Sequence, residues 1–282
     1  MSSSIPVNRS WTRRLILILG YGFLYVPLLI LVIYSFNASR LVTVWGGWSA
    51  HWYGELFQDP VIIDAVLLSL SIAFMAATSA VALGTIAAFV LTRMGRFRGE
   101  NGFAFLITAP LVMPEVITGL SLLLLFVALA DLTGWPAQRG MTTIWIAHTT
   151  FCSAYVAVIV SSRLRELEDS IEEAAMDLGA RPLKVFFLIT LPIILPGIIS
   201  GWLLAFTLSL DDLVVASFVS GPSASTLPMV VFSSVRLGVS PKINALAAII
   251  ILIVSLIAFV GWWFMARADK IRSQQIALAK RG

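Results

Sequence analysis

An all-α polytopic membrane protein with six transmembrane helices is the fold class that the sequence predicts, and three observations predict it. Apolar residues make up 59% of the 282-residue chain and charged residues 12%. Mean hydropathy is +0.95, a composition that excludes an ordinary water-soluble domain. Six runs approach or exceed the ~20 predominantly apolar residues that a bilayer crossing requires. Finally, the basic residues gather in alternate gaps between those runs.

The first run, 15–36, follows Arg9, Arg13 and Arg14. A cleaved signal peptide is the competing reading, but the run is long for such an apolar core and lacks an obvious small-residue cleavage site. It is therefore read as a retained first span. The second run, 65–91, places Ala73, Ala77, Gly84 and Ala88 on one face, a stripe that permits close helix approach. The third, 103–130, reads as one span containing Pro110 and Pro114, and the fourth covers 141–160. Val185 to Val219 is too long for one span and too short for two, and it contains Pro192, Pro196 and Gly197. The expected solution is a span over 188–212, then a short re-entrant or surface-lying piece before Pro222 that would serve as an outer gate. A long tilted helix is the alternative. Gly197, Gly201 and Ala205 form a second small-residue stripe, suited to packing within the chain or against another subunit. The sixth run is 243–266. No Gly/Ser linker or low-complexity stretch divides these runs, so 1–282 is expected to be one transmembrane domain.

Orientation follows from the charges. With a cytoplasmic N-terminus, the inner segments hold Arg9, Arg13, Arg14, Arg93, Arg96, Arg98, Arg163, Arg165, Arg181, Lys184, Arg267, Lys270, Arg272, Lys280 and Arg281. The outer segments keep Arg40, Arg139, Arg236 and Lys242. The positive-inside rule selects this arrangement, with both termini cytoplasmic. The net charge of +4 then reflects membrane orientation, and no nucleic-acid partner is implied. Trp45, Trp48, Trp52 and Tyr53 in the first outer loop read as an interfacial aromatic belt or, more sharply, as a contact for a soluble partner.

Little else points to chemistry on this chain. Cys152 is the single cysteine and cannot form an internal disulfide. His51 and His148 have no metal-ligand spacing, so no metal is assigned. No G-x-x-x-x-G-K-[ST] stretch occurs, and none of Lys184, Lys242, Lys270 and Lys280 follows a glycine. The chain is not expected to hydrolyse ATP by itself.

The charged loop 163–190 carries the most information. Ser170 followed by Glu173 has the spacing of a capping box, which starts a helix at Ile171. Ile171, Ala174, Ala175 and Leu178 share one stripe, with Glu172, Glu173 and Asp177 elsewhere around the cylinder. Gly179 supplies a left-handed stop and Pro182 discourages resumption. So short a helix is unstable alone in water and must dock, either on its own bundle or on a partner.

Glu173-Ala174-Ala175, then Gly179, then Ile189-Thr190-Leu191-Pro192 resembles the EAA loop of permease subunits in binding-protein-dependent ABC importers. Pro110-Leu-Val-Met-Pro-Glu115, Ser209-Leu-Asp-Asp212 and Gly238-Val-Ser-Pro-Lys-Ile-Asn-Ala-Leu246 are similar to the bacterial polyamine (putrescine/spermidine) branch of that family, and the likeness extends from about Tyr25 to Ala266. The resemblance implies a type I importer permease in the bacterial inner membrane. The helix between spans four and five would be its coupling helix, seated in a cytoplasmic ATPase, with Ser170, Ile171, Glu173, Ala174, Ala175, Leu178 and Gly179 forming that element. It also implies a homologous second permease, an ATPase dimer carrying the ATP and Mg, a periplasmic polyamine-binding protein, and no cofactor on this chain.

Acidic residues within spans are costly, ~2.5–3.5 kcal/mol at the centre on insertion scales, and normally face a partner or a wet cavity. Glu115, ~18 Å along a helix from Phe103, falls just past the middle of the third span. Asp211, ~28 Å beyond Pro192, falls near the outer boundary. Adjacent helical positions diverge by ~100°, so Asp211 and Asp212 are not expected to share a cavity. Putrescine, a methylene chain with an ammonium at each end, would be served by a route offering Glu115 and one of the two aspartates. Binding to backbone freed by Pro110 and Pro114 is the alternative role for Glu115. For the aspartates it is solvation or pairing with Arg236. The competing function class is a self-sufficient secondary transporter using these carboxylates as proton or cation sites.

Overall fold

The computed structural model describes residues 9–41, 44–238 and 240–279, with side chains not described at 9, 10, 237, 261, 264–266 and 268–279. Val239 of the Gly238–Leu246 stretch, and Lys280 and Arg281 among the inner basic residues, lie outside the described residues. In chain order the helices are α1 Arg9–Tyr34, α2 His51–Leu56, α3 Pro60–Arg93, α4 Glu100–Val112, α5 Glu115–Thr133, α6 Met141–Glu166, α7 Asp169–Asp177 and α8 Pro182–Val185. A π-helical turn, Phe186–Thr190, leads into α9 Leu191–Asp211, followed by α10 Val214–Val219, α11 Leu227–Leu237 and α12 Pro241–Ala279. The described residues form no strand, only an isolated bridge between Asn37 and Trp48.

Six segments among the described residues are long and apolar enough to cross a membrane: Trp11–Tyr34, Pro60–Arg93, Glu115–Thr133, Met141–Glu166, Pro182–Asp211 and Pro241–Val260. Many of their large apolar side chains face outward, Phe23 at 86% exposure being an extreme. In water such surface would drive aggregation; lipid tails accept it without cost.

The third expected span, 103–130, is not continuous. α4 stops at Val112, Met113 is extended (φ −74°, ψ 135°), and α5 starts after Pro114. Proline has no N–H to give the helical ladder and pushes its predecessor out of the α region, so Met113 breaks the rod. Glu115 therefore opens α5 instead of sitting within a helix.

The Val185–Val219 stretch resolves into the α8–π–α9 rod and the short helix α10. Pro192 removes a donor just after the π turn, where the ladder already runs irregularly. α9 ends at Asp211, Asp212 is extended (ψ 124°), and α10 buries Val215, Ala216 and Val219.

Internal packing groups the residues into two compact units. In Val61–Ser233, α3, α6 and α9 enclose Ala77, Ala80, Ala88, Cys152, Val156, Val160, Leu164, Ile194 and Ala205. A second cluster joins Ile72, Phe126, Ile144 and Ala147 to Val215, Ala216 and Val219 of α10. Both small-residue stripes are used within the chain: Ala73, Ala77, Gly84 and Ala88 of α3 and Gly197, Gly201 and Ala205 of α9 are all buried. Hydrogen bonds cross the same seams, from Trp202 Nε1 to Thr78 Oγ1 and from Trp145 Nε1 to Ser79 Oγ, each at 3.2 Å.

Gly84 of α3 packs directly against α6. A Cβ there would stand 2.8 Å from Val156 Cβ and 2.9 Å from the Ser153 carbonyl oxygen, whereas at Gly201 the nearest atom, Val156 Cγ1, would be 3.4 Å away. Overpacking costs ~1–3 kcal/mol and alanine gains up to ~1 kcal/mol over glycine in a helix. Gly84→Ala is therefore expected to lower the thermal unfolding midpoint of the purified protein, while Gly201→Ala holds or raises it. Equal shifts would contradict this packing.

The other unit contains the described residues up to Pro60 and those from Ser234 onward, with α1 and α2 against α12. Its first loop folds around Asn37, whose amide donates to the Val44 carbonyl and whose Oδ1 accepts from Ser39 N and Gly46 N. Trp52, expected in an interfacial belt, is instead buried and donates Nε1 to the Asn37 carbonyl at 2.7 Å. Trp45 and Trp48 do remain exposed, edge to face at 5.0 Å. Lys242 of α12 pairs with Glu55 and Asp59 at 3.2 and 3.4 Å.

Candidate functional site

Two places in Val61–Ser233 bring the polar residues together. The first surrounds α7. The chain enters it through Glu168 in extended conformation (φ −65°, ψ 131°), and the helix begins at Asp169, two residues before the expected start. Ser170 is thus inside the first turn and caps nothing; its Oγ donates to Glu168 Oε2 at 3.3 Å, and the expected capping box with Glu173 does not form. Acidic side chains, Asp169 and Glu172, occupy the positive end of the helix dipole in its place. Both are held by Arg93, the last residue of α3: Nη1 lies 2.6 Å from Asp169 Oδ1 and Nε 2.8 Å from Glu172 Oε2.

The far end of α7 closes as the sequence indicates. Gly179 has φ +87°, its N–H donates to the Met176 carbonyl, and Ala180 N donates to the Ala175 carbonyl. This double bond pattern is a Schellman stop, which needs the left-handed conformation that glycine adopts freely.

α7 is therefore anchored on one side and open on the other. Glu172 and Ala175 are half-buried, whereas Ile171, Glu173, Ala174 and Leu178 are exposed, Leu178 at 91%. Three members of the predicted stripe, Ile171, Ala174 and Leu178, are exposed among the described residues, Ile171 the less exposed of the two large ones at 43%. Ala175 lies toward the chain's own side.

The second place is a cavity of about 470 Å³ in which all three predicted carboxylates meet: Glu115 from α5, and Asp211 and Asp212 from the end of α9. Pro110, Met113, Pro114 and Thr118 form one wall, Phe151 and Tyr155 of α6 another. Asp211 and Asp212 do share the cavity, contrary to expectation, because the helix ends between them and the ~100° rule applies only within a helix. Their states differ sharply. Asp212 is buried, accepts from Val215 N (3.3 Å) and Ala216 N (2.7 Å) and lies 3.2 Å from His148 Nε2, whose Nδ1 shares a 2.7 Å hydrogen bond with Ser209 Oγ. Asp211 and Glu115 are exposed to the cavity and form no ion pair among the described residues.

The lining suits a flexible dication: two uncommitted carboxylates for ammonium groups, aromatic and aliphatic surface for methylenes, and no lysine or arginine. A larger cavity of about 580 Å³ between α3, α4 and α6 mixes Arg165 with Glu100 and Glu166 and lacks this uniform sign. Among the described residues no group of His, Cys, Asp and Glu could hold a metal ion.

Sequence reasoning missed Arg93, Glu172, Thr190 and His148. Arg93 counted there only as an inner positive charge, and its partners lie more than 70 residues away. Glu172, pointing away from the apolar stripe, was the one available signal that the back of α7 meets something polar.

The family profile described as "Binding-protein-dependent transport system inner membrane component" matches residues 80–273. The putrescine transport system permease protein PotI of Escherichia coli (strain K12) is 70% identical over 280 residues, covering 99% of this chain and 100% of that protein. The spermidine/putrescine transport system permease protein PotC of Haemophilus influenzae is 41% identical over 247 residues, 88% of this chain and 93% of that one. Among solved structures, a bacterial ABC transporter involved in the import of the acidic polysaccharide alginate superposes with TM-score 0.70 at 17% identity, over 93% of this chain and 98% of that chain. Such low identity speaks to the fold alone: the all-α architecture of an importer permease. The profile and the full-length relatives make this chain a multi-pass permease subunit, not an enzyme, and it belongs to the binding-protein-dependent transport system inner membrane component family.

Proposed function

We propose that this chain is the inner-membrane permease subunit of an ATP-driven importer that carries putrescine, or a closely related polyamine, into the cytoplasm. A periplasmic binding protein delivers the amine, a homologous second permease completes the conduit, and an ATPase dimer outside this chain binds ATP and Mg. Both termini and α7 face the cytoplasm, as the distribution of basic residues favours. α7 inserts into the ATPase through Ile171, Ala174 and Leu178, with Glu173 presented beside them and Gly179 ending the helix. Glu115 and Asp211 meet the ammonium groups in transit, and Asp212 shapes the cavity.

The observation that carries this reading is the state of α7, clamped on one face by Arg93 and exposing Ile171, Ala174 and Leu178 on the other. A helix folded back for its own stability would bury its apolar stripe; this one offers it. Full-length similarity to a putrescine permease supports the choice of amine.

The test is reconstitution of the chain with second permease, ATPase and binding protein in proteoliposomes. Putrescine is expected to stimulate ATP hydrolysis and to accumulate only when ATP is present, with spermidine a weaker stimulant. Uptake driven by an ion gradient with no ATPase bound would replace this reading with that of a secondary transporter.

A further inference from the structure

The residues behind α7 do more than docking requires. Arg93 ends α3 with its side chain 11% exposed, and its guanidinium lies among four acceptors. Nη2 donates to the carbonyls of Leu164 and Leu167 at 2.9 and 3.0 Å, at the end of α6 where helical carbonyls run short of donors. Nη1 and Nε hold Asp169 and Glu172 of α7. Glu172 in turn accepts through Oε1 from Thr190 Oγ1, and Thr190, 1% exposed, is the last residue of the π turn at the foot of α9. One guanidinium and one carboxylate thereby join α3, α6, α7 and α9.

The join spans the non-helical link between α7 and the α8–π–α9 rod: left-handed Gly179, Ala180 and extended Arg181 (ψ 147°). A displacement of α7 has no stiff backbone path through these residues. The Glu172–Thr190 hydrogen bond bypasses them and reaches the base of α9, whose other end carries Asp211 into the acidic cavity.

We propose that Arg93, Glu172 and Thr190 form the transmission joint of this permease, making α7 move as one body with α3, α6 and α9 so that ATPase closure reaches the cavity. They are positioning residues: none touches the amine or the nucleotide. The inference rests on the reading of α7 as the docking element.

Glu172→Gln, Thr190→Val and Arg93→Lys, made in the complete complex, test it through two readouts: the amount of ATPase co-purified and the amine imported per ATP hydrolysed. Glu172→Gln and Thr190→Val are expected to retain the ATPase at wild-type level and to import about tenfold less putrescine per ATP, the scale of one lost charge-assisted hydrogen bond. Arg93→Lys, which keeps the charge but cannot serve four acceptors, is expected to fall between these variants and wild type. An unchanged import-to-hydrolysis ratio in Glu172→Gln and Thr190→Val overturns the proposal. So does a fall of both activities in step with loss of folded complex, which marks a purely structural cluster. Failure of the wild-type chain to retain any ATPase would instead strike the docking reading, and the two failures are distinguishable.

Discussion

Leu178→Glu is expected to abolish ATP-driven uptake while leaving the permease folded. Leu178 is 91% exposed just beyond α7, so its removal takes almost no packing from this chain. Exposed substitutions of this kind shift stability by no more than ~0.5 kcal/mol. In an ATPase groove the same leucine would be buried, a gain of ~1.5–3 kcal/mol, and a glutamate in its place would add the cost of an unpaired charge in an apolar contact. Affinity for the ATPase should therefore fall at least ~10- to 100-fold. Thermal unfolding of the isolated permease measures the first half of this expectation, and co-purified ATPase with putrescine uptake the second. A variant that unfolds would show that Leu178 serves the fold; one that transports normally would show that α7 does not dock through this residue.

Glu115→Gln and Asp211→Asn are each expected to cut kcat/KM for putrescine uptake by about tenfold or more, since a hydrogen bond to a charged group contributes ~1.5–3 kcal/mol. Both side chains face the 470 Å³ cavity with no ion pair from the described residues, and both substitutions preserve shape. ATPase retention should not change, because neither residue lies near α7 in the fold. Asp212 belongs to a different category: its carboxylate holds two amides of α10 and faces His148. Asp212→Asn should therefore reduce the yield of folded protein before it alters transport. If Glu115→Gln and Asp211→Asn both transport at wild-type efficiency with coupling intact, the acidic cavity is not the amine's route.

What the sequence conveyed, and what it hid, divides along a physical line. Hydropathy located six spans because lipid imposes a length on every crossing, and Gly179 marked the end of α7 because a local backbone conformation demands it. Pro110 and Pro114 were visible too, but a continuous apolar run concealed that Pro114 would break the third span and place Glu115 at a helix start. Ser170 and Glu173 had the right spacing for a cap, yet Arg93, more than 70 residues away, drew Asp169 and Glu172 into the first turn and moved the helix start. Local spacing lost to a long-range ion pair. The helical wheel failed for Asp211 and Asp212 for a related reason: the wheel presumes a helix, and α9 ends between them. The pairing of Asp212 with His148, like that of Glu172 with Thr190, depends on tertiary neighbours that no periodicity encodes.

Leu178→Cys provides the deciding measurement, because Cys152, the chain's own cysteine, is fully buried and leaves the new thiol as the reactive one. A photoactivatable crosslinker tethered there in the assembled complex should capture the ATPase subunit. In separate cells without the crosslinker, the free thiol of Leu178→Cys should resist a membrane-impermeant thiol reagent applied outside. Capture of lipid or of this chain alone, or modification from the outer face, would contradict an α7 that stands on the cytoplasmic side and couples the spans to ATP hydrolysis.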